Sequence, residues 1–296
     1  MPPTLTDNTT AMNRQDFRFF HALRVRWVEV DMQKIVFNGH YLMYLDTAVS
    51  DYWRALALPY EQSLHGMGGD LFVVKSSLEY KASALYDDLL HIGMRCARIG
   101  NSSIVFDGVV FRGDQVLVKG ELVYVYADPQ KQTSKPVPQV LRDILLGFEQ
   151  GEDVTTLQLG SWEALQTLAA PLRTEVFVQE QGVDQALEWD EHDALCVHAV
   201  LCNRLGAPVA TGRLLPSVNG VAKIGRMAVK RVLRGQRLGD QILSALMDAA
   251  RARGDKQILL HAQCSAENFY RRQGFSRQGE VFMEANMAHV EMVCAL

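Results

Sequence analysis

The chain has 296 residues, 48% of them hydrophobic, which suits two ordinary cores at roughly 100–200 residues per domain. Its formal net charge of −4 and lack of a long basic run speak against nucleic acid as a partner. The five cysteines (Cys96, Cys196, Cys202, Cys264, Cys294) are scattered and form no Cys-x-x-Cys pair, so no disulfide framework, zinc site or other metal is expected.

In chain order, Met1 to about Asp16 is polar, lacks the apolar core of a secretory signal, and reads as a frayed tail. No apolar run is long enough to span a bilayer, and a reducing cytoplasm is the expected setting. Strand-like segments follow near Leu23–Val30, Leu71–Tyr80, Leu90–Ile99, Ser103–Arg112 and Val116–Asp128. In the third, Leu90, Ile92, Met94 and Cys96 alternate with polar or small residues, the period of a half-buried strand. Between the first two lies one strong helix, Gly39 to about Leu56. Tyr41, Leu45, Ala48 and Tyr52 form one apolar stripe on it; Leu42, Val49, Trp53 and Leu56 form a second. A helix apolar on so much of its circumference is wrapped by other structure. One buried helix embraced by an antiparallel sheet is an α+β layout.

The stretch DPQKQTSKPVPQ closes this region, a short helix spans about Val140 to Phe148, and Gln150–Thr155 reads as a linker. Beyond it a helix near Ser161–Val178 precedes strands at Val197–Asn203, Val209–Pro216 and Ala222–Val229. A loop, Lys230–Gly239, leads into a long helix, Asp240–Arg253. Strand Gln257–Ala262, helix Ala266–Gln273 and strands to the C-terminus complete the pattern. The lone Cys264 reads as a small buried residue and not as a nucleophile.

Two stretches carry chemistry. The first runs from Asp31 to Asp46, leaving a strand, turning, and entering the buried helix. A helix start offers unpaired backbone N–H groups and a positive dipole end, which can hold the carbonyl oxygen of a thioester. Asp31 sits just upstream, where a carboxylate can attack that carbonyl or activate water. Asp46 reads as a polar helix residue and His40 as packed at the helix start. The stretch resembles the hotdog-fold acyl-CoA thioesterases of the 4-hydroxybenzoyl-CoA thioesterase type, with the pattern Asp-x-x-Gly-h-Val-aromatic-x-x-x-Tyr-Leu-x-aromatic-x-Asp/Glu (h apolar). Asp31, Ile35, Val36, Phe37, Tyr41, Leu42, Tyr44 and Asp46 fall on it; the glycine is replaced by Lys34. The likeness continues in Glu79-Tyr80, Tyr86-Asp87-Asp88, Gly100–Ser103 and Lys135–Pro138, over roughly residues 20–140. It implies Asp31 as nucleophile or general base, the backbone N–H of Asn38 as oxyanion donor, Tyr41 at the substrate, and a homodimer or homotetramer.

The second stretch is Met227 to Gly239. Backbone N–H groups where a loop enters a helix can cradle a pyrophosphate, and Arg231, Arg234 and Arg237 add positive charge. Strand, loop and helix resemble the GNAT acetyltransferases, whose motif is Arg/Gln-x-x-Gly-x-Gly/Ala. Arg234, Gly235, Gln236, Arg237, Leu238 and Gly239 stand at these positions, with Arg237 in place of the central glycine. The resemblance implies a coenzyme A pyrophosphate on this loop and pantetheine along Met227, Ala228 and Val229. It also implies Asn268 at the cofactor and Tyr270 as the general acid that reprotonates the departing thiolate, from the Asn-x-x-x-x-Tyr-x-x-x-Gly-Phe region. The run Arg173 to Gln181, followed by Glu188, Asp190 and Asp193, resembles small-substrate members and also acyl-homoserine-lactone synthases. The three acidic residues are expected to receive a cationic amine or to anchor a base.

The expectation is a hotdog α+β domain over residues 17–150 followed by a GNAT α/β domain with a mixed sheet over residues 155–296. The first would hydrolyse an acyl-CoA; the second would pass an acyl group, most simply acetyl, from coenzyme A to a small amine. Two rivals stay open: one catalytic half beside a CoA-binding or dimerising module, or an acyl-homoserine-lactone-type synthase.

Overall fold

The computed structural model describes residues 12–296, and the chain divides between Asp153 and Val154 into two units. The expected polar tail lies outside the described residues up to residue 11; beyond it, Arg14–Asp16 make one 3-10 turn.

In the first unit, strand β1 (Phe19–Arg24) precedes helix α1 (Asn38–Ala55) and a short helix α2 (Tyr60–Gly66). Strands β2 (Asp70–Tyr80), β3 (Leu89–Ile99), β4 (Ser103–Arg112) and β5 (Gln115–Asp128) follow, then the two-residue β6 (Thr133–Ser134) and helix α3 (Gln139–Glu149). The strands make one antiparallel sheet in the order β1-β3-β4-β5-β2, with β6 beside β5. The sheet wraps α1, which lies against β1, β3, β4 and β5. Gly108 of β4 and Gly120 of β5 face each other across the ladder. A Cβ on Gly108 would come within 2.5 Å of Leu45 Cδ2, and one on Gly120 within 2.3 Å of Leu45 Cδ1. The glycine pair is the seat into which Leu45 drops, and it lets the helix approach the sheet so closely. The first apolar stripe of α1 is wholly buried; in the second, Val49, Trp53 and Leu56 are buried and Leu42 is partly exposed.

The first strand ends earlier than the apolar pattern suggests. Val25 N–H pairs with Asp88 O, and the chain turns through a 3-10 segment, Trp27–Glu29. The Glu29 carboxylate accepts from Arg26 N–H at 2.7 Å, which closes the turn, while Trp27 and Val28 stand exposed.

The second unit begins with β7 (Thr155–Gly160), where a linker was expected to end, and helix α4 (Trp162–Arg173). The single helix expected over Ser161–Val178 instead continues after Pro171 into a π-helical turn, Thr174–Glu180. A short helix α5 (Gln185–Glu188) and strands β8 (Val197–Asn203), β9 (Pro208–Leu214) and β10 (Val221–Val229) follow. Helix α6 (Leu238–Arg253), β11 (Gln257–Gln263), α7 (Glu267–Arg272), β12 (Ser276–Glu284) and β13 (Met287–Ala295) complete it. The sheet order is β12-β13-β11-β10-β9-β8-β7. All neighbours are antiparallel except β10 and β11, which run parallel, so the sheet is mixed. Ile242, Leu243, Leu246 and Ala250 of α6 are fully buried in one core with Ala199, Val209, Ile224 and Ile258.

Candidate active sites

In the first unit a tight loop holds Asp31. Val30 and Val36 form a β-bridge; Asp31 N–H donates to Ile35 O at 2.9 Å, and Lys34 N–H to Asp31 O at 2.9 Å. Gln33 N–H donates to Asp31 Oδ1 at 2.8 Å, leaving Oδ2 without a partner among the described residues. Lys34 lies in the left-handed region at φ 62°, a conformation that favours glycine. Its side chain is exposed and makes no ion pair with Asp31. Two residues past Val36, helix α1 starts at Asn38 without a side-chain cap. Asn38 and Gly39 are exposed, and their N–H groups have no partner among the described residues. Asp31 and the Asn38 N–H therefore flank one bridge.

Beneath the loop the support is buried. Glu29 takes Arg26 Nε and Nη2 at 2.8 and 2.6 Å and the Tyr44 hydroxyl at 2.8 Å. Burial pushes its carboxyl up, but these donors together outweigh it and hold Glu29 below its ordinary value. Tyr41, expected at the substrate, is instead a core residue. It is only 2% exposed, its hydroxyl accepts from Ala84 N–H at 2.8 Å, and its ring packs edge-on against Tyr44 and Tyr80. The large apolar side chains exposed in the segment around Asp31 are Trp27, Val28, Met32 and Phe37.

In the second unit, β10 and β11 pair only over Val221–Lys223 and Gln257–Leu259, then part. The register of β10 against β9 shifts between Gly225 and Ala228, with Arg226 at φ 49°. The opening is a cleft of about 1300 Å³, whose wall includes Met227, Ala228 and Val229. Arg234, Gly235, Arg237, Leu238 and Gly239 also line it; Gln236 does not, its N–H being turned to Leu233 O. Gly235 lies at φ 90° and Arg237 at φ 57°, so the loop coils into a concave nest. The N–H groups of Gly235, Arg237, Leu238, Gly239 and Asp240 have no partner among the described residues. Arg234 is held bidentately by Glu180 at 2.6 and 2.8 Å, whereas Arg237 is exposed and makes no ion pair among the described residues.

Tyr270 lines the same cleft, 8% exposed, with Phe269 and Phe275 edge-on at 4.9 and 5.8 Å. Burial pushes its hydroxyl up to about 12, so it carries its proton at neutral pH. Asn268 is exposed and does not line the cleft. The acidic group is also placed differently from the expectation. Arg173 binds Glu188 at 2.5 Å and Asp193 at 2.8 Å; Arg213 binds Asp190 and Asp193 at 2.6 Å; Arg226 reaches Glu188 at 3.1 Å and Asp190 at 3.2 Å. Trp162 and Trp189 hold the Arg173 guanidinium at 5.1 and 4.8 Å. Three carboxylates are thus met by three arginines. Only Glu188 and Asp190 border the cleft, and the Arg213 hydrogen bonds, against burial, hold Asp190 down at about 2.

Sequence reading passed over a further group on the cleft wall: Lys223, His261, Glu284 and His289. Its only trace was the alternation of β11, where Leu259, His261 and Gln263 face away from the buried Ile258, Leu260 and Ala262.

Comparison with known proteins follows the same division. Residues 33–119 match the model of the thioesterase superfamily, and residues 163–296 that of the acetyltransferase (GNAT) domain. The uncharacterized protein YyaT of Bacillus subtilis is 35% identical over 127 residues, 42% of this chain and 84% of that protein. Protein ElaA of Escherichia coli is 33% identical over 125 residues, 41% of this chain and 81% of its own length. The solved structure of BH1999 gentisyl-coenzyme A thioesterase aligns with 43% of this chain and 98% of its own, at 21% identity and a TM-score of 0.38. Through its second half the chain belongs to the GNAT acetyltransferase family and through its first to the hotdog thioesterase superfamily, a fusion of the two.

Proposed function

We propose that the second half transfers an acetyl group from coenzyme A to a small amine, and that the first half hydrolyses an acyl-CoA thioester, in a cytoplasmic enzyme. The functional domains are residues 155–296 and 17–150. The observation that carries the transferase reading is the set of N–H groups of Gly235, Arg237, Leu238, Gly239 and Asp240 without a partner among the described residues, in one cleft with a protonated Tyr270. Fixed N–H groups at a helix start attract a pyrophosphate without reorganising, and Arg237 adds a charge that no acidic partner among the described residues takes up. The pantetheine arm would lie along Met227–Val229, where β10 has parted from β11. As the carbon–sulfur bond breaks, the Tyr270 hydroxyl gives the thiolate its proton.

In the first half the thioester carbonyl would point at the Asn38 N–H. Asp31 would attack it or draw a proton from water, with the α1 start stabilising the oxyanion. The exposed apolar side chains around Asp31, and the edge position of β2 with Phe72, Val73 and Val74 exposed, support a homodimer or homotetramer through this domain.

One experiment tests both halves. Thiol release from a panel of acyl-CoAs is measured on the full chain with and without primary amines. Asp31→Asn should remove the amine-independent part. Tyr270→Phe should slow the amine-dependent part while acetyl-CoA affinity holds. Amine-independent release that survives Asp31→Asn would refute the hydrolase assignment; amine-dependent release at the parent's rate in Tyr270→Phe would refute the acid.

A further inference from the structure

The cleft of the second unit holds a polar group that pyrophosphate binding and thiolate protonation leave unused. His261 of β11 faces the cleft, and its Nδ1 lies 2.8 Å from Glu284 Oε2 on β12. Phe282 packs edge-on to the ring at 4.9 Å, which fixes its plane. A carboxylate can only accept here, so Nδ1 carries the ring proton and the lone pair is left on Nε2. Lys223 Nζ lies 3.3 Å from both ring nitrogens, which places it over the ring and not on one lone pair. The next carboxylate, Glu291 Oε2, stands 3.8 Å from Nε2, too far for a hydrogen bond. The ring is therefore oriented and buttressed, with an in-plane acceptor still open.

Acetyl transfer to an amine needs such an acceptor. An alkylamine arrives as an ammonium, which cannot attack a carbonyl until it has lost a proton. We infer that His261 is the catalytic base for this cleft, taking a proton through Nε2 from an alkylammonium acceptor, with Glu284 as the positioning residue that fixes the ring. The inference rests on the acetyl-transfer reading above. Two carboxylates, Glu284 and Glu291, face the ring against the single ammonium of Lys223, which favours a cation's approach. His289 stands beside Glu284, and Arg213 and Arg226 act on Lys223. Burial pushes the Lys223 ammonium below the usual lysine range, while Glu284 and Glu291 pull it back up.

The step balances. One N–H proton of the ammonium passes to Nε2 and later leaves to solvent through the open cleft. The freed lone pair forms the C–N bond at the acetyl carbonyl, the C–S bond breaks, and sulfur keeps that electron pair. The nitrogen's second proton replaces the one that Tyr270 gives to the thiolate, so each turnover yields one amide, one coenzyme A thiol and one proton.

The test uses the full chain carrying Asp31→Asn, with acetyl-CoA and two classes of nucleophile. One is a panel of primary alkylamines, protonated at neutral pH as a lysine side chain is, with a pKa of about 10.4. The other is methoxyamine, whose electron-poor nitrogen is unprotonated at neutral pH. His261→Gln should cut alkylamine turnover by about 10²-fold, with acetyl-CoA affinity unchanged by calorimetry. The deficit should close as pH rises toward the amine's own pKa, and methoxyamine should react at the parent's rate. Glu284→Gln should give a smaller deficit with the same pH dependence. A deficit equal for both nucleophiles and constant with pH would mean a structural role and overturn the inference, as would full alkylamine turnover in His261→Gln. If the Asp31→Asn parent shows no amine-dependent release with any of them, the acetyl-transfer reading fails first and this inference with it.

Discussion

Replacing Arg237 with glycine should make the second unit more stable and its hold on coenzyme A weaker. Arg237 sits at φ 57° with an exposed side chain and no ion pair among the described residues, so glycine removes strain and breaks no contact in the free protein. The left-handed conformation costs an L-residue about 1–2 kcal/mol. Glycine's extra freedom in the unfolded chain takes back about 0.4–1 kcal/mol. The net gain is about 0.5–1 kcal/mol, a rise in melting temperature of about 2–4 °C for a unit of this size. An exposed guanidinium on a phosphate contributes about 1 kcal/mol after solvent screening, so coenzyme A should bind about fivefold more weakly. Added salt should narrow that gap between parent and variant. Arg237→Ala separates the two effects, because alanine keeps the strain and loses the charge. Thermal unfolding followed by circular dichroism, and calorimetric titration with coenzyme A at low and high salt, read them out. A glycine variant that melts no higher than the alanine variant would refute the strain, and unchanged affinity in both would remove this loop as the phosphate site.

Lys34→Gly should raise the unfolding free energy of the first unit by about 0.5–1 kcal/mol, for the same reason at φ 62°, and so move its urea midpoint upward; an unchanged midpoint would deny the strain. Gly108→Ala should cost about 1–3 kcal/mol by driving a Cβ against Leu45, and a shorter side chain at position 45 should recover part of it in a double-mutant cycle. Strictly additive losses would mean the two residues do not meet. Asp190 is held down at about 2 against an ordinary 3.8, so its stabilisation is present above about pH 4 and is lost as pH falls toward 2. Asp190→Asn should remove about 2 kcal/mol at neutral pH, at 1.36 kcal/mol per unit, and flatten the acid limb of the stability curve; a variant curve parallel to the parent's would refute the pairing.

Strand β3 was legible because Leu90, Ile92, Met94 and Cys96 keep a two-residue period, and helix α1 because its apolar residues recur at helical spacing over about four turns. The face that each helical residue takes was less so. Helix α1 turns Asp46, Thr47, Ser50 and Arg54 outward, whereas Tyr41 was assigned to the substrate and is buried with its hydroxyl accepting from Ala84 N–H. The acidic group illustrates a different limit. Glu188 is met by Arg173, 15 residues before it, and Arg226, 38 residues after, and only the folded sheet brings these together. Strand β7 did alternate, as Thr155, Leu157 and Leu159 against Thr156 and Gln158, but it lay too close to a presumed linker to be noticed. His261 gave no motif at all: its meaning depends on Glu284, which arrives across two strands.

The parting of β10 from β11 after three residue pairs has a consequence for selectivity. From Ile224 to Ala228 the backbone groups on that side of β10 lack a strand partner among the described residues, so in the free protein water must satisfy them, while Val229 O accepts from Arg234 Nε at 3.2 Å. A molecule entering the gap strips that water. A plain hydrocarbon arm would leave the stripped N–H and C=O groups bare, a cost of about 1–3 kcal/mol for each. An arm carrying its own amides at strand-like spacing exchanges water for equivalent partners and releases the solvent. The gap thus discriminates by rehydration cost, and favours a peptide-like tether over a greasier one of the same length before any side chain makes contact.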